Sequence, residues 1–70
     1  MKLKTLQKLR KIGECSPAVQ RQSKRVSFAI NELLDLLSDA EIGSPEEAVL
    51  DIWNELDDGF ELFISYLAGY

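Results

Sequence analysis

Apolar residues in the last third of the chain recur at steps of three and four. Val49, Ile52, Trp53, Leu56, Phe60, Phe63, Ile64 and Leu67 fall within about 120° of one another on a helical wheel and form one stripe roughly 33 Å long. Ser44 suits the N-cap and Pro45 the first helical position, and Glu47 sits where a capping-box carboxylate belongs. The stripe keeps its phase across Asp57-Asp58-Gly59, with Leu56 handing over to Phe60. This continuity predicts a single helix over 45–68, kinked at most at Gly59, where glycine costs about 1 kcal/mol. Leu62 and Tyr66 lie off the stripe, so the second half of the helix is apolar on more than one side.

Two further amphipathic stretches precede it. In residues 17–38, Val19, Val26, Ala29, Ile30, Leu33, Leu36 and Leu37 share a broad face with Leu34 at its edge. The opposite face carries Arg21, Arg25, Phe28, Glu32, Asp35 and Asp39, with Lys24 adjoining. This face is basic at the helix start and acidic at its end, the reverse of what the helix macrodipole favours. In residues 2–12, Leu3, Leu6, Leu9 and Ile12 are spaced by threes and form a wide, wrapping stripe. Gly13 is the expected end of that helix, and Ser16-Pro17 the start of the next.

The predicted fold is therefore all-α, a single small domain of three helices over 1–70. The second and third helices form an antiparallel hairpin, and the short first helix packs across it. The expected core is Val26, Ile30, Leu33, Leu37, Ile52, Trp53, Leu56, Phe60 and Phe63. With 70 residues and one cysteine, no internal disulfide can offset the small core of so short a chain. A homodimer or an obligate protein partner is the expected remedy. No apolar run is long enough to span a membrane, and the lone thiol without an export signal suggests a reducing cytoplasm.

Charge changes the picture further. All eight basic residues lie in residues 1–25 against one acid, Glu14, whereas the other eleven acids lie in residues 26–70 with no base. The overall charge of −4 thus conceals two halves of opposite sign. There is no histidine, no glycine-rich phosphate loop and no nucleophile elbow, so enzymatic activity is not expected. No cofactor is implied. A metal site is not expected either, because helical carboxylates at this spacing lack the loop oxygens of a calcium site. Cys15 reads as an inert residue at a turn.

The candidate docking surface is the acidic face of the third helix, Glu47, Asp51, Glu55, Asp58 and Glu61. Like charges at i,i+4 cost roughly 0.2–0.5 kcal/mol per pair. A solvated face, neutralisation by the chain's own basic third or by a second copy, and recognition of a cationic partner all account for the ladder. The last reading predicts a non-enzymatic regulator or inhibitor, in the manner of proteins that occupy a nucleic-acid-binding groove. Leu62, Tyr66 and Phe28 are the apolar contacts it would add, with Phe28 alternatively covered by the first helix. The competing reading is nucleic-acid binding through Lys8, Arg10, Lys11, Arg21, Lys24 and Arg25. The sequence pI near 4.6 weighs against it.

Overall fold

The computed structural model describes residues 2–56 and 58–70. The described residues form four α-helices and no strand: α1 (Leu3–Cys15), α2 (Pro17–Leu37), α3 (Pro45–Glu55) and α4 (Gly59–Ala68). The all-α class is as the periodicity predicts, and the count of three helices is corrected to four.

Local chemistry sets most of the boundaries. The Ser16 hydroxyl accepts from the Val19 N–H at 3.4 Å and Pro17 opens α2, so a single non-helical residue separates α1 from α2. The Ser44 hydroxyl accepts from the Glu47 N–H at 3.2 Å and donates to the Glu41 carbonyl at 2.6 Å. The Ser44 N–H also goes to Glu41. The capping box is therefore half made: the serine caps, but its own N–H is satisfied by the linker rather than by the Glu47 carboxylate. At the C-terminus Gly69 adopts φ +86°, and Tyr70 N–H bonds Ser65 O at 3.0 Å while Gly69 N–H reaches Tyr66 O at 3.2 Å. This is a Schellman closure, which needs a residue free to enter the left-handed region.

Two boundaries depart from the sequence reading. Gly13 does not end α1, which continues to Cys15. It is buried inside the helix, and a Cβ there would collide with the Leu67 carbonyl oxygen of α4. The glycine serves close helix approach rather than termination. The expected continuous helix over 45–68 is likewise interrupted. Leu56 caps α3 and α4 begins at Gly59 after Asp58, while Asp57 lies outside the described residues. Phase continuity of the stripe did not require a continuous backbone, and both halves find α2 as a neighbour.

Those neighbours define the architecture. α4 packs against both α1 and α2, whereas α3 packs against α2 and meets α4 only through the Trp53–Phe60 ring contact across the break. α1 also packs against α2, so α1, α2 and α4 form one group to which α3 attaches through α2. The buried apolar residues are Leu6, Leu37, Ile64, Leu67 and Ala68, so the core centres on α4. The end of α4 lies close to Gln20 of α2, and the buried Ser23 and Ala68 supply the small side chains such an approach needs. Of the expected core, Leu37 is buried and Ile30 and Trp53 are half-buried. Val26, Leu33, Ile52, Leu56, Phe60 and Phe63 are exposed. The reason is that the packing partner of α2 is chiefly α4 rather than α3.

The result is a slab of 44 × 23 × 13 Å with a radius of gyration of 14.1 Å, against about 11 Å for a compact 70-residue domain. Its accessible surface is 5392 Å², where a chain of this mass normally exposes about 4400 Å².

Candidate protein-docking surface

α3 has three facets. Trp53 and Leu50 are half-buried, and Trp53 meets the Phe60 ring edge-on across the helix break, with centroids 6.5 Å apart and planes at 88°. Val49, Ile52 and Leu56 form an open apolar flank, Ile52 and Leu56 each 59% exposed. Glu47, Asp51 and Glu55 line the third facet at i,i+4 spacing. Asp51 and Glu55 are exposed, and Glu47 is half-buried. Because α3 does not pack against α1, the lysines of α1 cannot neutralise this facet by packing. Among the described residues, none of these three carboxylates forms an ion pair.

The break divides the rest of the sequence-derived surface. Asp58 lies in the turn between the helices and is not free. Glu61, Leu62 and Tyr66 belong to α4, all half-buried. Glu61 lines a cleft of about 300 Å³ with Ser27, Asn31 and Ser65. Tyr66 is occupied from within: the Arg10 guanidinium stacks over its ring at 4.4 Å and also donates to the Tyr70 carbonyl at 3.0 Å. Phe28 stands on α2, 65% exposed, so α1 does not cover it. The structure therefore brings Glu47, Asp51 and Glu55 together on one helix and places the other five residues elsewhere.

No family model, curated protein or solved structure matches the chain.

The basic residues are also divided by the fold. Lys8, Lys11, Arg21, Lys24 and Arg25 are exposed, while Arg10 is spent on tying α1 to the end of α4. No group of three or more histidine, cysteine or acidic residues suited to a metal occurs among the described residues. No helix there is long and apolar enough to cross a membrane. The sequence reading missed Arg10 as a tie to Tyr66 and Gly13 as a contact point. Neither had a local signal, since both depend on how far α4 folds back.

Proposed function

We propose that this chain is a non-enzymatic regulatory or inhibitory protein that docks on a cationic surface of a partner protein through Glu47, Asp51 and Glu55 of α3. The observation that carries this reading is the isolation of α3. It is a capped helix packed on α2, and its carboxylates form no ion pair with the bases among the described residues. Left unrelieved, the ladder costs a few tenths of a kcal/mol per like-charged pair, which a basic partner would turn into attraction. A partner groove of the kind that otherwise holds nucleic acid has the matching charge. The reducing cytoplasm is the proposed site of action, where the exposed Cys15 remains a thiol.

Charge reversal tests this directly. Capture of host proteins on immobilised wild-type chain and on the Asp51→Lys, Glu55→Lys double variant identifies the charge-dependent partner. Association kinetics with that purified partner should then slow by about tenfold or more and lose their salt dependence in the variant. Unchanged kinetics would reduce the ladder to a solubility device. Binding of duplex DNA or RNA by the wild-type chain, weakening steeply with salt, would instead favour the basic residues of α1 and α2 as the working surface.

A further inference from the structure

The acidic facet of α3 leaves its apolar flank unexplained. Val49, Ile52 and Leu56 are neighbours at three- and four-residue spacing on α3, and Trp53 joins them to Phe60 across the break. Phe63 follows one turn later on α4. Of these six residues five are exposed, Phe60 by 50% and Phe63 by 38%, and none is charged. Val26 and Leu33 of α2 add exposed apolar surface of their own. Contiguous aromatic and aliphatic surface of this kind marks an interface rather than ordinary solvent exposure.

We propose that a second copy of this chain covers this flank, paired about a two-fold axis. This rests on the reading of α3 as an open helix, but not on which partner its carboxylates meet. Three features select a second copy. The first is area: 5392 Å² of accessible surface is about 1000 Å² more than a compact monomer of this mass exposes. A stable interface removes about 800 Å² from each partner, so one isologous contact restores an ordinary surface. The second is composition. The patch is uncharged and rich in aromatics, as the cores of homodimer interfaces are. The third is charge. Bases occupy residues 2–25, on α1 and the start of α2, and acids occupy the end of α2 and α3. α1 and α3 do not pack against each other, which keeps the acids of α3 off the bases of α1. A two-fold pairing that runs the copies antiparallel sets unlike ends near each other, attracting at long range. The Asp51 and Glu55 facet of each α3 stays turned outward.

Sedimentation equilibrium of the full chain at micromolar concentration tests this. The expected mass is twice 7.9 kDa. Ile52→Lys and Phe60→Lys, each at an exposed position, should weaken the pair by about thirtyfold or more, with far-UV circular dichroism confirming that the variants remain helical. Asp51→Lys with Glu55→Lys should leave the mass doubled, so loss of partner capture by that variant is separable from loss of the dimer. A monomer at every concentration overturns the proposal. So does a dimer that neither lysine weakens, or a monomeric chain that buries this flank only on a different protein.

Discussion

At Gly13 the backbones of α1 and α4 come together with no room for a methyl group against the Leu67 carbonyl. Gly13→Ala must push the two helices apart, and because the obstacle is backbone rather than a flexible side chain, the strain has no cheap outlet. A loss of about 1–3 kcal/mol is expected from overpacking of this kind, read as a lower urea midpoint by circular dichroism. An unchanged midpoint would mean that the close approach does not exist. Glycine at position 13 was legible as special, but its reading as a helix stop followed the commoner local rule. The true reason lies 54 residues further along the chain, where no periodicity could point to it.

Two other glycines separate the elements in a way that a substitution pair can resolve. Gly59 has open space at its Cβ position, whereas Gly69 combines φ +86° with a Cβ position 2.8 Å from the Gln20 side chain. Gly59→Ala should therefore be neutral or stabilise α4 by up to about 1 kcal/mol, while Gly69→Ala should destabilise by about 1 kcal/mol through the αL closure. Thermal melts of the two variants should move in opposite directions or, at Gly59, not at all. A loss at Gly59 equal to that at Gly69 would show that the helix break needs a glycine conformation. The periodicity of three and four located every helical stretch, and the Ser44-Pro45 and Ser16-Pro17 caps fixed two starts. It could not locate the interruption after Leu56, because Leu56 and Phe60 stay in phase on a helical wheel whether or not the backbone breaks between them. Consequently the acidic facet was legible for Glu47, Asp51 and Glu55, which share α3, and not for Glu61, Leu62 or Tyr66, which α4 carries elsewhere.

At the scale of the whole molecule, the buried core centres on α4, and α3 contributes no buried residue to it. α4 is the shared neighbour of α1 and α2, and the Arg10 contacts with Tyr66 and Tyr70 close that unit, while α3 remains an arm on α2. A thickness of only 13 Å across the Cα atoms is little more than one helix. Such a slab cannot enclose apolar side chains on both faces, which is why Ile52, Leu56, Phe60 and Phe63 stay open. The roles proposed for the carboxylates of α3 and for its apolar flank both depend on the arm being a separate element.

Backbone 13Cα and amide chemical shifts over residues 45–68 test that separation most directly, in a monomer or a dimer alike. A helix break predicts helical shifts through Glu55, weakened helical values at Leu56 and Asp58, and full helical shifts again from Gly59. Helical values running without interruption from Pro45 to Ala68 would contradict it. The chain would then present one continuous rod, with Glu47, Asp51, Glu55 and Glu61 on a single face.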